Sequence, residues 1–474
     1  MVTTPVLNKG NPGRLVRLID RLIFVVLLCL TVACTIEYGA VEPFWEAVFE
    51  CVVFALSGLW ALKGLVLQRW DVSRPSLLFP LILLAAFGLI QTITLPDYAV
   101  LARVGIVDAV SHAISIDPYQ TRLTVLKLLA YMFFLGLLLS STSSPKRLKW
   151  LLHMVILLGL GSALFGLARQ SMQETDGFVL AYLPMGTGYG QFIYKNAFAY
   201  LMEMALALTL GLVLGGGVKR NYILVYLGMA VAISAALILA VSRGGILGLV
   251  TQVTFFSLVL MGRQLGPSSG SEDMAIPAHL PRFAASYISR GMVVALILTG
   301  LCFGVLWTGG EKLTEKFQTS EMGADESAAN VKRLRLWHFT GELVKDHPIT
   351  GVGFGAYWLA ISQYQESSGQ LLAYQAHNDY LDLLASGGII GAMLAAWFVF
   401  ALIRAVRPGL QSRDAFRWSA CIGAVAGLLD IGVHSFVDFG LQITSLAMVF
   451  CVLITIAVAR KRVERNVRGA TEEG

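Results

Sequence analysis

The run His377-Asn378-Asp379-Tyr380-Leu381-Asp382 stands where a long polar loop, 309–376, gives way to an apolar stretch in an otherwise very hydrophobic chain. Imidazole is the side chain best suited to take a proton from a hydroxyl near neutral pH. At the mouth of a membrane segment, His377 would meet both lipid-borne and aqueous reactants. The competing reading makes it a solvated residue at a helix entrance, with Asn378 or Asp379 as the cap. A second cluster is Lys332-Arg333-Leu334-Arg335-Leu336-Trp337-His338. Its planar guanidinium forks could hold a diphosphate through paired donors, with Arg333 as principal member and Arg335 beside it. The same residues could equally bind anionic headgroups.

Two further groups are polar where lipid would select against polarity. Ser242-Arg243-Gly244-Gly245 joins two apolar spans with almost no loop. Arg243 there either snorkels to the headgroups or meets an anion, and the glycines leave backbone N–H groups open to a phosphate. Asp430, His434 and Asp438 recur at intervals of four, which places them on one helical stripe. Asp430 reads as part of a satisfied structural network, whereas His434 and Asp438 read as lining the same cavity as His377. Glu203, about two turns into an earlier span after Asn196, is a weaker candidate for that lining.

The elements that must position these residues follow from composition. With 56% hydrophobic residues, 14% charged residues and a mean hydropathy of +0.70, the chain reads as an all-α polytopic membrane protein, a single integral membrane unit over 1–474. About twelve stretches are long enough to cross the hydrocarbon core: 22–38, 47–67, 76–95, 122–140, 150–169, 197–217, 222–241, 245–261, 291–308, 380–403, 418–437 and 440–459. Short loops rich in Lys and Arg stay in the cytoplasm, which sets both termini inside and the 309–376 loop outside. The net charge of +6 is thereby explained by orientation, and no nucleic-acid partner is implied.

The six cysteines all fall within or beside apolar spans, a distribution that predicts neither a disulfide framework nor a zinc site. Cys34 and Cys51, near the outer ends of neighbouring spans, read as packing thiols or as a pair that could meet. Within the outer loop, Leu336, Trp337, Thr340, Leu343 and Val344 share one face of a helix over 333–346 that Pro348 ends, suiting a lid or a lipid-facing platform. Gly351-Val352-Gly353-Phe354-Gly355 lacks the setting of a dinucleotide fingerprint and reads as a flexible hinge beneath that lid. Segment 262–290 reads as a linker.

Taken together, several segments resemble the O-antigen ligase and polysaccharide polymerase superfamily of bacterial inner membranes. They are Gly190 to Met204 with Asn196 and Glu203, Ser242-Arg243-Gly244-Gly245, Arg333 with Trp337, Asp346 to Gly353, His377-Asn378-Asp379-Tyr380-Leu381, and His434 to Gln442 with Asp438. They occur in the family's order over 190–442. The resemblance implies a GT-C-like fold and metal-independent, cofactor-free, inverting glycosyl transfer at the periplasmic face. The donor would be an undecaprenyl-diphosphate-linked oligosaccharide, and the acceptor a glycan, lipid A core or protein hydroxyl. By the same resemblance Arg243 and Arg333, with Arg335, hold the diphosphate and His377 activates the acceptor. Ser115-Ile116-Asp117-Pro118 and Asp438 to Gln442 lean toward the polymerases, although Gly440 and Thr444 stand where those relatives carry Asn and Pro. A secondary transporter is the competing class, but it would predict two similar halves and sites at the midplane. A non-catalytic scaffold of a polysaccharide export complex is a further reading.

Overall fold

The structure is a computed structural model that describes residues 13–70, 72–96, 111–142, 144–171, 188–265, 325–364 and 373–459. Among them the chain is almost wholly helical, with one two-residue antiparallel pairing of Leu95–Pro96 and Ser111–His112. In chain order the helices are α1 Arg14–Ile36, α2 Pro43–Leu67, α3 Pro75–Gln91, α4 Pro118–Ser141, α5 Pro145–Ser171, α6 Lys195–Leu214, α7 Ile223–Leu239 and α8 Arg243–Leu265. They continue with α9 Asp325–Asp346, α10 Tyr357–Ile361, α11 Asp379–Leu410, α12 Ala415–His434 and α13 Thr444–Val458. Nine described helices are long and apolar enough to cross a membrane, and Pro75–Gln91 and Thr444–Val458 are shorter apolar helices. Eleven of the expected spans thus fall on helices. The expected span 291–308 and most of the linker 262–290 lie outside the described residues.

Proline opens four of these helices, at Pro43, Pro75, Pro118 and Pro145, where a missing N–H costs no hydrogen bond and the fixed φ suits the first turn. Asp117 caps α4 by accepting from the Gln120 N–H at 3.0 Å. The centre of the bundle is α6, buried along nearly all of its apolar stretch, with α5, α7, α8 and α12 packed around it. Such close packing needs small residues: a Cβ on Gly211 of α6 would collide with the Gly423 backbone of α12.

The described part of the long polar loop, 325–364 and 373–376, is anchored rather than loosely tethered. Helix α9 runs over 325–346, and its buried Leu336, Thr340 and Leu343 pack with Val352, Tyr357, Ala360, Ile361, Ala376 and Ala385. The apolar face, expected to serve a lid or a lipid-facing platform, is covered by the loop's own continuation and by α11. The Gly351, Gly353 and Gly355 backbones all have positive φ, at 64, 105 and 79°. Their neighbours explain the composition better than hinge flexibility does. Val352 N–H donates to the Ala385 carbonyl at 2.9 Å and Gly353 N–H to that of Ser386 at 3.0 Å, and a Cβ at Gly353 would strike Ser115. The chain is wedged against a break in α11 at Gly388, where φ is 58°. Gln91 closes the joint, donating to the Thr350 and Ser386 carbonyls at 2.7 and 3.0 Å while accepting from the Phe354 N–H at 3.2 Å.

Candidate functional site

His377 lies one residue before the Asn378 cap of α11, which resolves the choice between Asn378 and Asp379. The Asn378 Oδ1 accepts from the Tyr380 and Leu381 N–H groups at 3.0 and 3.1 Å. The capping geometry turns the backbone sharply, and His377 has φ +49°, a left-handed conformation uncommon outside glycine. Two contacts hold the approach to this strained residue. The Trp337 indole of α9 donates to the Ala376 carbonyl at 2.9 Å, and the Ala376 N–H donates to Asp382 Oδ2 at 3.2 Å. Asp382, the second carboxylate of the junction, thus serves the backbone.

On the opposite side stands the turn that follows α12. That helix ends at His434 because Ser435 is claimed by α11: the Asp379 N–H donates to the Ser435 carbonyl at 3.0 Å, and the Ser435 hydroxyl donates to Asp379 Oδ2 at 2.8 Å. The single stripe expected of Asp430, His434 and Asp438 is consequently divided. Asp438, beyond the helix end, places Oδ1 at 3.5 Å from His377 Nδ1, with 24% of the histidine side chain exposed and 4% of the aspartate. Its other oxygen accepts from the Asn196 side-chain amide at the start of α6. Phe439 meets the imidazole edge-on at 4.9 Å between ring centres, and Tyr194 in turn packs on Phe439 at 5.5 Å.

Charge around this group is positive. Burial pushes the Asp438 carboxyl up, but His377 and Asn196 hydrogen bonding and the charges of His434 and Arg333 more than offset it, holding it below the usual carboxylate range. Arg333 therefore acts on the cluster from α9. It also opposes the rise that burial and Asp438 impose on the Tyr194 phenol. Arg335 behaves differently, lying exposed with its guanidinium 5.5 Å from the centre of the Phe339 ring on its own helix. An anionic Asp438 facing Nδ1 favours the tautomer that carries its proton there, and Nε2 is then the ring nitrogen able to accept a proton from a hydroxyl.

The remaining candidates form a second group. His434 and Glu203 are both fully buried, with Nδ1 to Oε1 at 2.9 Å, and the Tyr200 ring stacks on His434 at 3.8 Å and 11°. Gln252 of α8 donates to the Glu203 carbonyl at 2.9 Å, and Asp430 is buried nearby on α12. The structure thus brings His377, Asp438, Asn196 and Arg333 to one place and sets Glu203 and His434 behind it. Arg243 is tied to the second group by its neighbour: a Cβ on Gly244 would run into the His434 ring. The Ser242 hydroxyl accepts from the Gly245 N–H at 3.2 Å, so Arg243 sits, exposed, on the first turn of α8.

A family model described as O-antigen ligase matches residues 228–396. The match supports a role in glycosyl transfer and, with the apolar helices, a multi-pass membrane protein. No curated protein matches the chain. The ligase-family segment contains Arg243, Arg333, Arg335, His377 and Asp379, whereas Asn196, Glu203, His434 and Asp438 lie outside it.

Several positioning residues escaped the sequence reading. Phe439 walls the imidazole and Tyr194 backs Phe439, yet neither stands out in an aromatic-rich chain. Arg169, buried within α5, donates to the Gly190 carbonyl at 2.7 Å and fixes the run leading to Asn196; an arginine inside an apolar stretch was the available signal. Both departures from the polymerase-like pattern have local reasons. A Cβ on Gly440 would enter the Tyr200 ring, and the Thr444 hydroxyl donates to Glu46 at 3.3 Å, the same carboxylate that pairs with Lys127. Among the described residues no group of three His, Cys, Asp or Glu side chains is placed to hold a metal ion.

Proposed function

We propose that the chain transfers a glycan from an undecaprenyl-diphosphate-linked donor to an acceptor hydroxyl at the periplasmic face of a bacterial inner membrane, as a polysaccharide polymerase or O-antigen ligase. The observation that carries this reading is the pair of a partly exposed His377 and a buried Asp438 at the start of an apolar helix, with the Arg333 charge acting on it. His377 Nε2 takes the proton of the acceptor hydroxyl as its oxygen attacks the anomeric carbon. Asp438 holds the ring and stabilises the imidazolium that forms. The bond to the lipid diphosphate breaks, and Arg333 and Arg243 stabilise the charge that grows on the leaving group. Direct displacement inverts the anomeric configuration.

Asn196 is an orienting group for Asp438 in this scheme, and Glu203 and His434 support the turn that carries Arg243. The twelve-span layout with both termini cytoplasmic sets the donor diphosphate and His377 at the same membrane surface. The glycan ladders of a deletion strain, complemented with wild type or His377→Ala, test the reading. Long chains missing only from lipid A indicate a ligase, single unpolymerised repeats indicate a polymerase, and full complementation by His377→Ala overturns the assignment of the base.

A further inference from the structure

A second feature lies far from His377 in the chain, between α1 and α5. A cavity of about 1360 Å³ opens between these helices, lined along α1 by residues including Val25, Leu28, Val32 and Ile36 and along α5 by Trp150 and Leu157. Its walls are apolar for most of their length. At one end they turn basic, with Arg21, Lys146, Arg147 and Lys149, and no carboxylate of the described residues lines it.

The four cations are not equivalent. Arg147 is a brace: its guanidinium donates to the Ser141 carbonyl at 2.7 Å and the Asp20 carbonyl at 3.1 Å, and it lies 5.2 Å from the centre of the Phe24 ring. The nearby Asp20 carboxylate is taken by Lys63 at 2.6 Å. Arg21, Lys146 and Lys149 are exposed around the mouth of the groove, Lys149 with its ammonium 5.1 Å from the centre of the Phe416 ring. Positive charge is therefore gathered where an apolar channel ends, with the neighbouring carboxylate already neutralised. From Arg21 to Ile36 a helix rises about 22 Å. That exceeds half of the roughly 30 Å hydrocarbon core, the depth of one leaflet.

We infer that this groove is a binding site for an anionic glycerophospholipid, its phosphate held by Arg21, Lys146 and Lys149 and one acyl chain lying between α1 and α5. Charge complementarity selects the occupant: a zwitterionic lipid would bring its own cation to a rim that already holds three, and an apolar helix would leave them unmatched. The basic end belongs to the loops that orientation assigns to the cytoplasm, so the lipid comes from the inner leaflet. Trp150, exposed beside the rim, sits where an indole marks the headgroup level. The inference stands apart from glycosyl transfer and survives if that reading fails.

Native mass spectrometry of the full-length protein in mild detergent tests it, with phosphatidylglycerol, phosphatidylethanolamine of the same chains and a polyprenyl monophosphate as competing probes. The expected result is phosphatidylglycerol retained about tenfold over phosphatidylethanolamine, as a few near-surface cations would give. Each single change, Arg21→Gln, Lys146→Gln or Lys149→Gln, lowers that ratio, and the triple variant removes it. Ala33→Trp, which fills the groove and leaves every cation in place, lowers retention of phosphatidylglycerol itself. Equal retention of the two phospholipids by the native protein overturns the site, as does a preference undiminished in the charge variants. Retention of the polyprenyl phosphate alone, or retention unchanged by Ala33→Trp, overturns it too.

Discussion

Among the described residues two histidine–carboxylate pairs stand on neighbouring turns, and they differ in the property that decides what a histidine can do. His434 and Glu203 are sealed between α6, α8 and α12, 2.9 Å apart and fully buried, with Tyr200 stacked over the imidazole. His377 and Asp438 face each other at 3.5 Å at the mouth of α11, with about a quarter of the histidine side chain exposed. The first pair is tight and closed, which suits it to fixing helices in place. The second is looser and open, which suits proton exchange with a substrate, because apo geometry at catalytic hydrogen bonds is often long. The two are coupled through one turn, since His434 ends α12 and Asp438 follows it.

The largest separation between the pairs should be in stability. His434→Ala strands the Glu203 carboxylate in the bundle and is expected to destabilise the protein by about 3–5 kcal/mol. His377→Ala should change thermal unfolding in detergent by less than about 1 kcal/mol. Comparable losses would dissolve the distinction. Arg333→Ala belongs to the open pair and should lower the transfer rate by roughly 10²–10³-fold with little change in melting, as removal of one transition-state donor does. Arg333→Lys should recover part of that loss, because an ammonium keeps the charge and gives up the paired donors.

Gly244→Ala tests the link to the closed pair. The added methyl collides with the His434 ring, so a loss of about 1–3 kcal/mol in stability is expected, together with a fall in transfer as the Arg243 turn shifts. A variant that melts normally would separate the two. The smallest effect concerns pH. The folded-state value of Asp438 is depressed, so its stabilisation is complete above the ordinary aspartate value of about 3.9 and is lost as pH falls through the lower folded value. Asp438→Asn should therefore flatten the acid limb of the stability curve below about pH 4 and leave the neutral region unchanged in slope.

How much of this was legible in the sequence depended on whether chemistry or geometry carried the signal. Helix existence was plain, since apolar runs opened by Pro43, Pro75, Pro118 and Pro145 became helices. Arg333 and His377 were legible by residue type in an apolar chain. Asp438 was legible as lining the cavity of His377, but so was His434, because a spacing of four kept both on one stripe; hydrogen bonds between Asp379 and Ser435 end the helix first and send the two in different directions. Glu203 was visible as a charge, but its pairing across 231 residues needed the packing of α6 against α12. The glycines of 351–355 announced unusual backbone, and only the break at Gly388 showed that close approach to α11 was the cause.

The central claim, that His377 is the open pair's proton acceptor, is tested most directly by single-turnover transfer with His377→Gly. Glycine suits the φ of +49° at this position, so the backbone is retained while the imidazole is removed. The account predicts a rate lowered by about 10²–10⁴-fold and partly restored by added imidazole, with unchanged melting. A variant that transfers at the native rate without imidazole would contradict it.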